Sequence, residues 1–357
     1  LRLCVNINVP VGIAMLYSVR HTTRFQYTAP IAESVTEVRM QPRSTDYQQC
    51  SIFRLQVRPQ ARLYTYTDDQ QNTVHHFTQP GVHQQLAIVA ESEVLVLSGR
   101  RCPQALPADA WDRIDAALAS GEHWDMLAPS EFTAPTARLA QLARELGVAR
   151  HADPLTALLE INHKLHRAIA YDAASTNVDS PIDEALEHRR GVCQDYAHIM
   201  LALVRNELRI PCRYVSGYLF HSRADTSADG ASHAWLDVLL PELGWVGFDP
   251  TNDMVVGERH IEVAVGRDYS DVPPTRGHVQ GQCRERIGGQ RACAADPGSG
   301  CQGRAVRERR RRDAGLPQHR AATPRPLRRD AGCNSDATAT AIAPKTPTPA
   351  TRSLSPG

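Results

Sequence analysis

Three side chains of the kinds needed for nucleophilic catalysis arrive in order within one short span: Cys193, His233 and Asp249. Cys193 stands in GVCQDYAH (Gly191 to His198), His233 in ASHAWLDV (Ala231 to Val238), and Asp249 in GWVGFDPTN (Gly244 to Asn252). A thiol attacks, an imidazole takes and returns the proton, and a carboxylate fixes the imidazole tautomer and stabilises the imidazolium. This chemistry works only if the three groups touch, so the elements around them must bring them together.

Behind Cys193, the residues Ala197, Met200, Leu201, Val204 and Leu208 recur at helical spacing. Cys193 is therefore expected on the first turn of a helix. Unpaired backbone N–H groups and the positive end of the helix dipole favour the thiolate there, and the thiolate is the nucleophilic form. His233 and Asp249 lie in short alternating or aromatic runs that read as neighbouring strands. A buried structural thiol is a common fate for cysteine, but it does not account for GVCQD at a helix start with His233 and Asp249 downstream. Cys212, after Pro211 at a strand start, reads as a core residue, and His198 as a packing residue on another helix face. Asp195 either binds substrate or caps the helix. Trp235 and Tyr196 either wall the cleft or pack. The backbone N–H of Cys193 is the first candidate for an oxyanion donor.

These three blocks resemble the transglutaminase-like superfamily of papain-fold cysteine enzymes, in its bacterial branch. The resemblance rests on Gly191 and Cys193, on His233 with Ala234 and Trp235, and on Asp249 with Pro250 and Thr251. It implies acyl transfer through a thioester on peptide or protein amides. Cys193 would be the nucleophile, His233 the base and then the acid, and Asp249 the residue that orients His233. Hydrolysis is favoured over crosslinking by family analogy alone. The resemblance implies no metal and no organic cofactor. The competing reading is a non-enzymatic binding module with a vestigial triad.

Composition sets the frame. At 357 residues the chain has room for two domains with cores of their own. The net charge of +1 is uneven: residues 278–357 carry 15 Lys and Arg against 6 Asp and Glu, which leaves 25 against 33 in the body. Nine cysteines occur without a C-x-x-C pair. This speaks against structural zinc and against a disulfide framework, and for a reducing, cytoplasmic compartment. No run approaches the length of a membrane span. Expected partners are a peptide or protein substrate, with no nucleic acid and no membrane; oligomeric state stays open.

The expected fold class is α+β: an N-terminal antiparallel β-sandwich, with a half-barrel as the alternative the pattern leaves open, then a papain-like core with the cysteine at a helix N-terminus packed on an antiparallel sheet. Residues 1–14, ahead of Met15, read as a gene-start artefact rather than a signal peptide. Residues 15–98 alternate apolar and polar positions, are punctuated by Pro30, Pro42, Pro59 and Pro80, and have a hairpin loop at Asp68 to Asn72. They resemble the β region that accompanies bacterial transglutaminase-like domains, through H-T-T-R-F-Q-Y, M-Q-P-R and D-D-x-x-N. Their histidines, His21, His75, His76 and His83, read as surface residues rather than metal ligands. Residues 99–135 form a connector with Trp111 and Trp124 as packing anchors.

Residues 136–277 are the catalytic region. A helix stops at Gly147, a second opens on Asp153 and Pro154, a short third runs from Pro181 to His188, and the nucleophile helix begins at Cys193. Residues 278–357 contain no Phe, Trp or Tyr and are rich in Arg, Ala, Pro and Gly. They read as a disordered basic tail translated from a shifted frame, which would leave the sheet without its closing strand. The RERRRR run (Arg307 to Arg312) lacks the interleaved aromatics of a nucleic-acid arm.

Overall fold

The computed structural model describes residues 14–97, 103, 105–151, 153–227 and 232–280, and the backbone of 285–287 and 339–342. The period-two pattern of the N-terminal region becomes four strands: β1 (Ala14–Val38), β2 (Gln48–Arg58), β3 (Tyr64–Thr67) and β4 (Thr73–Leu97). β1 and β4 form one long antiparallel ribbon, paired from Ala14 and Leu97 to Val38 and His75. Its register shifts between Gln26 and Glu33, and extra residues on one strand bend such a ribbon. Phe25, Leu86 and Ile88 from one arm then share a core with Val38 and Phe77 from the other. Among the described residues this is one hydrogen-bonded sheet, with β2 and β3 both on β4, not the two sheets of a sandwich. The reason is that β1 and β4 run unbroken through the bend. Asp68 to Asn72 forms the expected loop, in which the Asp68 side chain accepts from the N–H groups of Gln70 and Asn72.

Two further expectations fail in this half of the chain. His21, His75 and His83 are buried. His21 Nδ1 lies 2.9 Å from the Tyr218 hydroxyl, and His83 bonds to Ser34. In the connector, α1 (Ala110–Ala119) is followed by the single turn α2 (Trp124–Leu127). Trp111 packs against the core with the Arg150 guanidinium over its ring, but Trp124 is 71 % exposed. One helical turn has one inner side, and Met126 takes it; a residue two positions earlier faces the other way.

Helix α3 (Ala137–Leu146) opens on Thr136, whose hydroxyl accepts from the Leu139 N–H, and ends at Gly147 in the left-handed region. Helix α4 (Pro154–Ala168) opens on Asp153, which accepts from the N–H groups of Leu155 and Thr156. After β5 (Ala170–Tyr171), α5 (Ile182–His188) and β6 (Arg190–Gly191) comes α6 (Cys193–Leu203), prolonged by a wider turn over Val204–Leu208. Leu201, Ala202 and Leu203 are buried together with Ala234, Leu236 and Val238. Those last three lie on one face of β8 (His233–Leu240), in an antiparallel sheet with β7 (Cys212–Leu219), β9 (Gly244–Asp249), β10 (Met254–Val255) and β11 (His260–Gly266). The strand order is β10-β9-β8-β7-β11.

Strand β11 is the edge of this sheet, and the N-terminal region covers it. Gln48 Nε2 donates to the Glu262 carbonyl at 2.7 Å, and the Glu262 N–H donates to Gln48 Oε1 at 2.9 Å. Asn72 does the same at Val265, with 2.8 Å in both directions. A carboxamide has the donor and acceptor of a peptide unit, so two side chains pair the edge as a further strand would. β12 (Thr275–Gln280) turns back to pair with β1. The short segments β13 (Glu285–Ile287) and β14 (Ala339–Ile342) also pair with β1. The readings made for residues 1–13 and for the rest of the tail lie outside the described residues. No described helix is long and apolar enough to cross a membrane.

Candidate active site

Cys193 is the first residue of α6, and the loop before it is drawn tightly onto the first turn. The Val192 N–H donates to Asp195 Oδ2 at 2.8 Å, and the Thr176 hydroxyl donates to the same oxygen at 2.5 Å. Asp195 is buried and accepts at the helix start, so the structure uses it as a cap. Gly191 is needed for this approach: a Cβ there would lie 2.8 Å from Asp195 Cβ.

His233 opens β8 and Asp249 closes β9, which places both at one end of the sheet, beside the start of α6. His233 Nε2 lies 2.7 Å from Asp249 Oδ2. The Cys193 thiol also acts on the ring and favours its charged form, and with Nε2 turned to Asp249 the ring has Nδ1 free for a second partner. The structure thus brings Cys193, His233 and Asp249 into contact. His233 and Asp249 are both buried. Burial works to discharge His233, but the Asp249 carboxylate, through charge and hydrogen bond, and the contact with Cys193 outweigh it and push its pKa up to about 10. Burial alone would raise Asp249; the charges and hydrogen bonds of His233 and His260 hold it well below the usual carboxylate range.

Asp249 is saturated with donors. Oδ1 accepts from the backbone N–H groups of Thr251 and Asn252. Oδ2 accepts from His233, from Asn252 Nδ2 at 2.8 Å, and from His260 at 3.2 Å. The Asn252 side-chain oxygen in turn accepts from the Thr226 and Ser227 N–H groups. Helix α4 grips the turn that carries these residues: Asn162 and His163 bond Asp253, and His166 Nδ1 donates to the Thr251 carbonyl. Sequence reasoning assigned no role to Asn252 or His260. Asn252 lies inside the GWVGFDPTN block, three residues past the acid. Nothing local marks His260.

Trp235 is fully buried, with its ring edge-on to His260 at 5.2 Å between centroids; it packs beneath the histidines. Gly217 makes room, since a Cβ there would meet the Trp235 ring at 2.4 Å and the Ile261 carbonyl at 2.3 Å. On this face a cavity of about 360 Å³ runs along the seam with the N-terminal sheet, lined by Trp235, Asp237, His260, Gln48 and Leu97. His198 stacks flat on Phe132 and accepts from the Tyr269 N–H, a packing arrangement, and Cys212 is in the core. His233, Asp249 and His260 place their polar atoms within 4.8 Å of one another. Both Nε2 atoms, however, point at a single carboxylate oxygen at hydrogen-bond distances, so the three groups bond to one another.

Residues 140–250 match the family described as the Transglutaminase-like superfamily, and residues 17–95 match the Bacterial transglutaminase-like N-terminal region. An uncharacterized protein of Mycobacterium leprae is 32% identical over 266 residues, covering 73% of this chain and 92% of that one. A Pseudomonas aeruginosa protein-glutamine gamma-glutamyltransferase is 32% identical over 144 residues, which are 37% of this chain and 21% of that one. The crystal structure of a candidate cysteine protease from Cytophaga hutchinsonii superposes with a TM-score of 0.60 at 19% identity, over 77% of this chain and 90% of that one; the likeness is one of fold.

Proposed function

The chain belongs to the transglutaminase-like superfamily, and on that premise we propose that it is a cysteine-dependent acyl-transfer enzyme acting on peptide or protein amides. One observation carries the reading: the buried His233 is hydrogen-bonded to Asp249, and the thiol at the start of α6 adds to the pull that holds the ring charged. Asp249 favours the protonated ring, so His233 already holds the proton when the Cys193 sulfur attacks the amide carbon. The tetrahedral intermediate collapses with that proton delivered to the leaving amine, and a thioester remains. The Cys193 backbone N–H, unpaired within the first turn, is the oxyanion donor we assign. Deacylation reverses the roles: His233 takes a proton from the incoming acceptor and returns it to sulfur.

The acyl donor is an amide, and the name of the Pseudomonas relative points to a glutamine side chain as one class to try. We take water as the acceptor, because it needs no second binding site, whereas an amine must be held unprotonated beside the thioester. The test is incubation of the full chain with a peptide library, with and without an added fluorescent primary amine, read by mass spectrometry. Cleaved or deamidated peptides that form with wild type and not with Cys193→Ala are the expected result. Amine adducts in place of hydrolysis would make the enzyme a crosslinker. Turnover undiminished in Cys193→Ala would reject the mechanism.

A further inference from the structure

The residue that the three-group reading leaves unused is the second imidazole on Asp249. His260, the first residue of β11, is buried, and both of its nitrogens are engaged. The Gly257 N–H donates to Nδ1 at 3.3 Å, and Nε2 lies 3.2 Å from Asp249 Oδ2. A nitrogen that accepts from a backbone N–H carries no proton, so the proton sits on Nε2 and is donated to the carboxylate. Oδ2 therefore lies between two rings whose centroids are 6.2 Å apart. Rotation of the carboxyl group about its Cβ–Cγ bond would break both contacts.

We infer that His260 is a positioning residue: from β11 it holds the Asp249 carboxylate in the orientation that presents Oδ2 to His233. The inference rests on the acyl-transfer reading above and adds a fourth member to it. The two rings on one carboxylate divide the work. His233 carries the charge, because Asp249 and the thiol both favour its imidazolium. His260 stays neutral, because burial lowers its pKa more than Asp249 raises it. A charged His260 would compete with His233 for the same anion. A neutral donor steadies the anion and leaves its charge for His233. The polar line runs from the Gly257 N–H through His260 and Asp249 to His233 and the sulfur, so the loop before β11 sets the geometry of a reaction on the far side of the sheet end.

The test uses the full chain with p-nitrophenyl acetate as acyl donor, comparing wild type, Cys193→Ala, His260→Phe and His260→Gln. Phenylalanine keeps the ring and loses the donor; glutamine keeps an N–H that can reach Oδ2. His260→Phe is expected to lower kcat about tenfold, or about 1.4 kcal/mol of barrier, with KM unchanged, and His260→Gln to recover most of the loss. A folded His260→Phe with wild-type kcat, or an equal loss in both variants, overturns the inference, the second because it would mean packing alone. If the phenylalanine variant does not fold, the wild-type ring decides: nitrogen-15 shifts at neutral pH must show a neutral Nε2–H tautomer, and a charged or Nδ1–H ring refutes the assignment. Inactive Cys193→Ala beside an unaltered His260→Phe rejects this inference alone. Cys193→Ala that turns over like wild type removes the acyl-transfer reading and this inference with it.

Discussion

The His233–Asp249 pair should make the stability of the protein depend on pH in a direction fixed by its geometry. The His233 pKa rises from 6.5 to about 10 on folding. A raised folded-state pKa contributes stability that is complete below the unfolded value and lost as pH climbs through the folded one. The loss therefore runs from about pH 6.5 to about pH 10. At 1.36 kcal/mol for each unit, the full span is on the order of 5 kcal/mol. Asp249 reports the other side of the same attraction, counted once: its pKa is depressed, so that stability is present above the ordinary carboxylate range and fades as acid protonates it. Urea unfolding of wild type and Asp249→Asn across the alkaline range isolates the term, because other groups that titrate there are common to both. The midpoint of wild type should fall with rising pH more steeply than that of Asp249→Asn, whatever offset separates them at neutral pH. Parallel curves would refute the argument, since they would mean that His233 is not held charged by Asp249.

Three further outcomes follow from named contacts. Cys193→Ala and Cys193→Ser should abolish turnover, whereas Asp249→Ala should retain a residue of activity, about 10²- to 10⁴-fold below wild type, because it orients the base rather than attacking; steady-state kinetics separates the two. Asn72→Ala leaves the N–H and carbonyl of Val265 unpaired at a buried seam and should cost about 1–3 kcal/mol in urea unfolding; a change within error would mean that water replaces the amide freely. A chain beginning at Thr136 loses Gln48 and Asn72 and bares the β11 edge, so it should associate on sizing columns. A soluble, monomeric truncation with full activity would remove the N-terminal sheet from the working unit.

Much of the molecule was legible one segment at a time. Family membership followed from three short blocks and from the N-terminal motifs. Helix starts followed from Thr136 and from Asp153 with Pro154, and a helix end from Gly147. The start of α6 at Cys193 followed from the apolar spacing behind it. These features are set by φ/ψ preference and by hydrogen bonds between near neighbours, and both are written along the chain. The capping role of Asp195 needed only its partner Val192, three residues away.

What the tertiary structure alone decided is what joins distant residues. A polar–apolar alternation calls for strands but not for the number of sheets, so the single bent ribbon of β1 and β4 could not be distinguished from a sandwich. The N-terminal histidines lie on different strands with no carboxylate pattern around them and read as surface residues, yet His21 is buried with a hydroxyl partner 197 residues away. The β11 edge is paired by two amides supplied by residues near 48 and 72. His260 looked like any histidine at the start of a strand. It acquires a place beside Asp249 because the order β8-β7-β11 carries it past Trp235 to the carboxylate. No local propensity encodes such a meeting. It exists only when packing has brought remote strands into register, and burial then makes each polar contact costly to lose.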